Sequence, residues 1–347
     1  MAETPRQLIY VNDQMPGIRR RRCGRGFTYL DDMDQKRIED QAVRQRIDAL
    51  AIPPAYEDVW ICRLADGHLQ ATGRDAAGRK QYRYHAEWSA YRNARKFDGL
   101  VNFAQALPKL RRQVQRDLDQ PTLSKPRVIA AGVRLMDLTL VRPGHGGETE
   151  GKPTYGLATL RNKHVLVDGE DVVLQFRGKS GQPQERSIAS GAVAKVLRRC
   201  LGLPGQELFQ YVSDDVEVVS IDAGDINSYI KNITAIDSTA KDFRTSGATV
   251  IAAAQLAQLG FSPKQATRDK RVVEAIKRTA QAIGNRPATC RKYYVAPAII
   301  QSYHDGKLRK QMNDRPCPDR PSPRQRLSAE EKAVLKILVA EKPKIRG

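Results

Sequence analysis

Gly284-Asn285-Arg286-Pro287 and, a few positions on, Arg291-Lys292-Tyr293-Tyr294 decide how this chain is read, with Lys241-Asp242-Phe243-Arg244-Thr245 upstream of them. These stretches place tyrosine hydroxyls near the end of a very basic sequence, among arginine, lysine and amide side chains suited to holding a phosphate. No cluster of metal-ligand residue types accompanies them. A tyrosine in that company points to covalent chemistry on a phosphodiester.

The bulk properties agree. The chain carries 59 Lys and Arg against 39 Asp and Glu, a net charge of +20. That excess favours a polyanionic partner, nucleic acid ahead of an anionic membrane surface. Its 347 residues suffice for two domains with real cores. No run of about 18 apolar residues offers a membrane span, so no membrane association is expected. Met1-Ala2-Glu3-Thr4-Pro5 lacks the apolar core of a signal peptide. The five cysteines (Cys23, Cys62, Cys200, Cys290, Cys317) are scattered without a CxxC pair, and there are five histidines. A disulfide framework and a zinc finger are therefore not expected, and a reducing cytoplasm is.

Working outward along the chain, the texture is α+β. Val59-Trp60-Ile61-Cys62, a turn at Asp66-Gly67 and His68-Leu69-Gln70-Ala71-Thr72 read as a hairpin. A second turn at Asp75-Ala76-Ala77-Gly78 leads to Lys80-Gln81-Tyr82-Arg83-Tyr84-His85, whose side chains alternate faces. From Trp88 the apolar spacing becomes helical, over 88–118 and 126–141. A β interlude follows, Lys163–Val167 and Val172–Phe176, running into Arg177-Gly178-Lys179-Ser180-Gly181. Helices resume at about 189–201, 222–233, 239–258, 263–283 and 287–303. The tail from 308 is rich in Pro, Arg and Lys and reads as a flexible basic extension. Within it, Ser328-x-x-Glu331 is a capping-box signature for a short amphipathic helix. The expected organisation is a β-rich domain over 1–90, a mainly helical catalytic domain with a small β-hairpin sheet over 91–307, and the extension over 308–347.

Two basic clusters stand apart from the tyrosines. Arg19 to Arg22, with Arg25, read as a phosphate-contacting loop. Gln81, Tyr82 and Tyr84 sit on a strand beside Arg74, Arg79 and Lys80. Glutamine can pair with adenine edges, and tyrosines can meet bases or phosphates. The same residues could also form an ordinary strand with buried rings.

Breaking a phosphodiester without a metal needs a nucleophile, cations or donors for the non-bridging oxygens, and an acid for the leaving 5′ oxygen. Arginine stays protonated and its fork matches phosphate oxygens. Arg142 enters the glycine-rich loop Pro143-Gly144-His145-Gly146-Gly147, and Arg244 lies near the start of a helix, at the positive end of its dipole. Lysine has a labile proton, and Lys179 sits at a hairpin tip that can reach a substrate. The nucleophile is Tyr294 or its neighbour Tyr293, and chemistry alone leaves both open.

These residues together resemble the type IB DNA topoisomerases in their compact bacterial and poxviral form. The resemblance spans roughly residues 10–305. It is carried in order by Leu50–Ala55, Asp58–Cys62, Gly67–Asp75, Gly78–His85, Phe176–Gly181, Leu203–Tyr211, Ala240–Thr245 and Gly284–Tyr294. It implies an active site of two arginines, Arg142 and Arg244, with Lys179 as general acid. Asn285 takes a position that is His or Asn in the family, and the nucleophilic tyrosine lies nine residues beyond, at Tyr294. By the same resemblance Arg142, Arg244 and Asn285 stabilise the transition state, and Gln81, Tyr82, Tyr84, Arg79, Lys80 and Arg74 contact DNA. The implied partner is duplex DNA, clamped by a monomer. The implied reaction is nicking to a 3′-phosphotyrosyl intermediate, swivelling and religation, with no cofactor, ATP or metal, in the cytoplasm on the nucleoid.

One departure stands out. After Arg142 the family often has Val-Gly-Asn-Glu and then a tyrosine that contacts DNA, whereas here Glu148 occupies that tyrosine's position. A tyrosine recombinase shares the catalytic logic but usually carries His-x-x-Arg where this chain has Lys241-Asp242-Phe243-Arg244. A non-catalytic DNA-binding protein on the same fold is the other alternative.

Overall fold

Alternation in the first part of the chain produces an antiparallel sheet. The computed structural model describes residues 8–76, 78–95, 97–144, 147–149, 151–312 and 326–340. It divides into compact units, Met1–Lys96 and Phe97–Gly347. In the first unit, strands β1 (Ile18–Cys23), β2 (Gly26–Asp31), β3 (Glu57–Ile61), β4 (Leu69–Arg74) and β5 (Lys80–Tyr84) lie in the order β2-β1-β3-β4-β5. Helices α1 (Gln41–Ala49) and α2 (Ala86–Arg95) complete it. Both faces of β3 are covered: Val59 and Ile61 pack with Ile18, Ala71 and Ile47 of α1, whereas Trp60 packs with Val11, Cys62 and Leu69. A strand whose successive side chains point to opposite faces divides its apolar residues in this way.

The arginine run is not a loop. Arg19 to Arg22 lie on β1, which pairs with β2 along its length and with β3 at Ile18 and Arg19. Arg19 donates to Asp32 at 3.0 Å, and Arg20 donates to the carbonyls of Pro53 and Tyr56 and lies 4.1 Å from the Phe27 ring centroid. These two arginines are tied up within their own unit because strand pairing turns them toward neighbouring backbone and carboxylate. Arg21 and Arg22 remain exposed.

In the second unit, α3 (Asp98–Leu118) and α4 (Lys125–Thr139) precede two small strands, β6 (Gly147–Thr149) and β7 (Lys152–Thr154). A three-stranded sheet follows, β8 (Val165–Asp168), β9 (Asp171–Arg177) and β10 (Pro183–Ala189), in the order β10-β9-β8. Then come α5 (Gly191–Leu201), the pair β11 (Gln210–Val212) and β12 (Val218–Ser220), and α6 (Ala223–Thr234). The rest is helical: α7 (Ala240–Leu259), α8 (Gln265–Ala282), α9 (Pro287–Tyr293), α10 (Pro297–His304), α11 (Leu308–Met312) and α12 (Ala329–Ala340). One core joins α3, α4, β9, α5 and α6 through residues such as Phe103, Val133, Leu174, Val196 and Ile230. Another joins α7, α8, α10, α11 and α12 through Ala252, Ile276, Ile299, Leu308 and Ile337. Leu140 belongs to the second core and Val141 to the first, so the chain reaches Arg142 where the two meet.

Three sequence expectations are corrected. The helical stretch 88–118 is two helices, with α2 ending at Arg95 and α3 starting at Asp98. The helix expected over 287–303 breaks at 294–296: Ala296 takes ψ 128°, and Pro297 opens α10. A residue before proline is pushed out of the helical region, and proline itself suits the first turn. The tail is not wholly a flexible extension, and the capping box expected at Ser328 forms. Ser328 Oγ accepts from the Glu331 amide, the Ser328 amide donates to the Glu331 carboxylate, and α12 buries Val334, Ile337 and Leu338. Arg111 of α3, buried, donates to Asp137 at 2.8 Å and to Glu331 at 2.7 Å, and so ties α12 to α3 and α4. The helix was legible from its capping box, but the tie was not, because the ionic partner Arg111 lies more than two hundred residues upstream. Residues 313–325 and 341–347 of that tail lie outside the described residues.

Candidate active site

A turn after α4 sets Arg142. Leu140 caps the helix in the left-handed conformation, φ 54°. The Arg142 carbonyl then accepts from the Leu157 amide and that of Pro143 from the Ala158 amide, both at 2.8 Å. The strands cross so closely that a Cβ on Gly144, whose φ is +79°, would lie 2.6 Å from Gly156 Cα, so only glycine fits. From this anchored backbone Arg142 Nη2 donates to Asn285 Oδ1.

Asn285 follows α8 through Gly284, which has φ +62°. With its oxygen held by Arg142, its Nδ2 is turned toward the Tyr294 hydroxyl and hydrogen-bonds it. Asn285 lies on a cleft. That cleft, of about 680 Å³, is lined by Arg142, Lys179, Gln184, Lys241, Asn285, Arg286, Tyr293 and Tyr294 among others. Lys179, exposed, opens the short turn that joins β9 to β10. No carboxylate is among the lining residues.

Tyr294 ends α9, and its ring is partly buried against the α7–α8–α10 core. Tyr293 is exposed. Burial pushes the Tyr294 phenol up, but the charges of Arg244 and Arg142, with hydrogen bonds from Arg244 and Asn285, outweigh it and bring the pKa below its ordinary 10.0. Arg244 lies with its Cζ 5.3 Å from the ring centroid. Burial first, then the like charge of Arg142, lowers the Arg244 pKa.

Arg244 departs from its expected setting. Its guanidinium does not reach out from a helix N-terminus. It is 3% exposed, and it donates through Nη1 to the Leu140 carbonyl and through Nη2 to the Ile283 carbonyl at 2.8 Å. Those carbonyls end α4 and α8, so the cation sits at two negative helix ends. It lines a smaller recess together with Arg142 and Lys179, which also line the main cleft. Arg142, Lys179, Asn285 and Tyr294 thus share one cleft, and Arg244 backs it.

Sequence reading gave several residues here no individual role. Lys241 and Arg286 add positive charge to the cleft wall. Thr249, fully buried in α7, reaches both sides of the break after Tyr294: its hydroxyl is 3.1 Å from the Tyr294 carbonyl and accepts from the Ala296 amide at 3.2 Å. A hydroxyl amid the alanines of α7 was the available signal.

The candidate DNA contacts lie in the other unit, on the β4–β5 hairpin. Gly73 pairs with Gln81, Thr72 with Tyr82 and Arg74 with Lys80. Tyr82 and Tyr84, both exposed, share a face with rings 6.1 Å apart and nearly parallel. Lys80 pairs with Asp13 at 2.5 Å, Arg79 and Gln81 with Asp75 at 3.0 and 2.9 Å, and Arg74 with Asp58 at 3.8 Å. Glu148 lies on β6, with its side chain outside the described residues.

Comparison with known families decides the assignment. The catalytic core of eukaryotic DNA topoisomerase I matches residues 85–315, and the N-terminal domain of bacterial DNA topoisomerase IB matches residues 26–75. DNA topoisomerase 1B of Acanthamoeba polyphaga mimivirus is 32% identical over 298 residues, 84% of this chain and 88% of the relative. This chain belongs to the type IB DNA topoisomerases. The topoisomerase is also 23% identical over 258 residues to DNA topoisomerase 1B of vaccinia virus strain Copenhagen, covering 72% of this chain and 76% of that one. Among solved structures, XerH site-specific recombinase bound to difH, in a pre-cleavage complex, is similar at 13% identity with a TM-score of 0.34. The likeness covers 55% of the topoisomerase, which spans about half the length of that recombinase, 48%. Among the described residues no helix is long and apolar enough to cross a membrane, and no group of His, Cys, Asp or Glu is placed to hold a metal ion.

Proposed function

We propose that this topoisomerase relaxes supercoiled duplex DNA by transient single-strand cleavage, without ATP or a metal. Tyr294 Oη gives up its proton to solvent and attacks phosphorus, the bond to the 5′ oxygen breaks, and a 3′-phosphotyrosyl ester forms. Lys179 donates the proton that the leaving 5′ oxygen takes up. Arg142 and Nδ2 of Asn285 hold the non-bridging oxygens as charge develops on them. Arg244, fixed behind the ring, acts first on the nucleophile, because its charge favours loss of the phenolic proton. The duplex beyond the nick swivels, and the 5′ hydroxyl reverses the step. The ester keeps the energy of the broken bond, so no other energy source enters.

The observation that carries this reading is the cleft itself. It brings Arg142, Lys179, Asn285 and Tyr294 together with Lys241 and Arg286, and among the described residues no carboxylate lines it, a setting suited to an anionic phosphodiester. The 1–90 domain would add DNA contacts through Arg74, Arg79, Lys80, Gln81, Tyr82 and Tyr84. We place the enzyme as a monomer in the cytoplasm, on the nucleoid, its catalytic domain beginning near residue 91.

The test mixes the protein with negatively supercoiled plasmid in EDTA without ATP. Relaxation is expected; retardation of the plasmid without relaxation would overturn the reading, and strand exchange between two specific sites would replace it with recombination. Tyr294→Phe should abolish covalent DNA adducts, while Tyr293→Phe keeps them. An adduct trapped by Tyr294→Phe would move the nucleophile elsewhere.

A further inference from the structure

We propose that Gln184 is a positioning residue that sets the distance between Lys179 and the Asn285–Tyr294 segment. The inference rests on the reading of Lys179 as the acid for the leaving oxygen.

Gln184 is the second residue of β10 and pairs across the sheet with Phe176. Its side chain lies against two glycines from distant parts of the chain. A Cβ on Gly178 would stand 2.9 Å from Gln184 Cγ, and one on Gly284 would stand 3.0 Å from Gln184 Cδ. Gly178 immediately precedes Lys179, and Gly284 immediately precedes Asn285. The glutamine is thus a crossbar between the backbones that present the proposed acid and the proposed phosphate donor. Glycine at both ends lets it approach that closely.

The crossbar is itself held. Gln184 Oε1 accepts from Arg186 Nη2 at 3.0 Å, and its Nε2 donates to the Pro183 carbonyl at 3.0 Å. Arg186 is anchored in turn, its Nη1 donating to the Glu185 carbonyl at 2.8 Å. The Gly178 amide donates to the Gln182 carbonyl at 2.8 Å, which closes the turn carrying Lys179 beneath the glutamine. Gln184 also lines both recesses, the main cleft and the smaller one that reaches Arg244. An exposed lysine on a short turn has many conformers, and a fixed side chain between its backbone and that of Asn285 narrows them.

The test separates positioning of the acid from other roles. Single-turnover cleavage is measured on two duplexes, one with the normal 5′ oxygen at the scissile phosphate and one with sulfur in its place. A thiol has a pKa of about 8.5, so sulfur leaves as thiolate without a proton from the protein. On the oxygen substrate Gln184→Ala should cleave about 10- to 100-fold more slowly, the loss expected when a reacting group is misplaced by about an ångström. On the sulfur substrate its rate should return to within a few-fold of the parent. Gln184→Met, which keeps the length of the crossbar, should lose less than Gln184→Ala on oxygen and covers the case in which the alanine variant folds poorly. DNA binding should not change for either variant. A Gln184→Ala enzyme at parental rate on oxygen, or equally slow on both substrates, overturns the inference. Lys179→Ala is the control for the underlying reading: if sulfur fails to restore it, the role of Lys179 falls and the inference with it. If sulfur restores Lys179→Ala but not Gln184→Ala, only the inference falls.

Discussion

The two basic regions of the molecule treat their cations in opposite ways. On the β4–β5 hairpin, Lys80, Arg79 and Arg74 each face a carboxylate, from Asp13, Asp75 and Asp58. In the cleft of the second unit, Arg142, Lys179, Lys241 and Arg286 share a lining that, among the described residues, has none. A paired cation exchanges a carboxylate for a phosphate when DNA arrives, so little is gained per contact. Like charges gathered without a counter-ion leave a positive field directed at the site where charge will develop, at a cost in folding stability that the rest of the domain offsets. On the proposed reading, the hairpin touches DNA and releases it, and the cleft stabilises a reaction.

The largest expected consequence concerns Arg142. Arg142→Ala removes a cation and also the group that holds the Asn285 amide oxygen. Single-turnover cleavage should fall by about 100- to 1000-fold, as for loss of one transition-state donor. Noncovalent binding to duplex DNA should fall no more than a few-fold. A loss of binding as large as the loss of cleavage would erase the distinction between the regions.

Thr249 should matter next. Its one hydroxyl lies between the Thr245 and Tyr294 carbonyls and accepts from the Ala296 amide. Thr249→Val preserves shape but leaves buried backbone groups unpaired at the break that presents the nucleophile. Cleavage should slow about 10-fold, a smaller displacement than the loss of about 100-fold expected per ångström, and Thr249→Ser should restore most of the rate. Parental cleavage by Thr249→Val would show that the break holds Tyr294 without it.

What was legible in sequence follows from the range of the forces involved. The hairpin over 59–72 and the alternation at 80–84 are local signals, and they form β3, β4 and β5 as read. Arg142, Lys179, Asn285 and Tyr294 could be matched one by one through short motifs, and they share a cleft. The proline at 297 also announced a break, yet the helical spacing on either side masked it. Other features were closed to sequence because their causes are remote. Arg244 looks like a helix-start cation until the carbonyls of Leu140 and Ile283 fold onto it. Glu331 looks like a capping-box acid and nothing more until Arg111 is placed beside it. Gln184 looks like a strand glutamine until Gly178 and Gly284 are brought to either end.

The smallest expected effect lies on the hairpin. Asp13 holds Lys80 at 2.5 Å and accepts from Thr72 at 2.8 Å. Hydrogen bonding to Lys80 and Thr72 outweighs the opposing effect of burial and keeps the Asp13 carboxyl below the usual carboxylate range, so the pair persists throughout the neutral range. The Lys80 side chain is 40% exposed, and an exposed pair of this kind is worth about 0–1 kcal/mol. Asp13→Asn should therefore tighten binding to duplex DNA by about threefold at low salt, within that range. If the released lysine meets a phosphate, the slope of log affinity against log salt should steepen by about 0.9, one contact's worth. Cleavage at saturating DNA should stay unchanged, because nothing in the cleft has moved. If neither affinity nor slope changes, Lys80 does not meet DNA, and the carboxylates of the hairpin serve its fold instead of restraining its contacts.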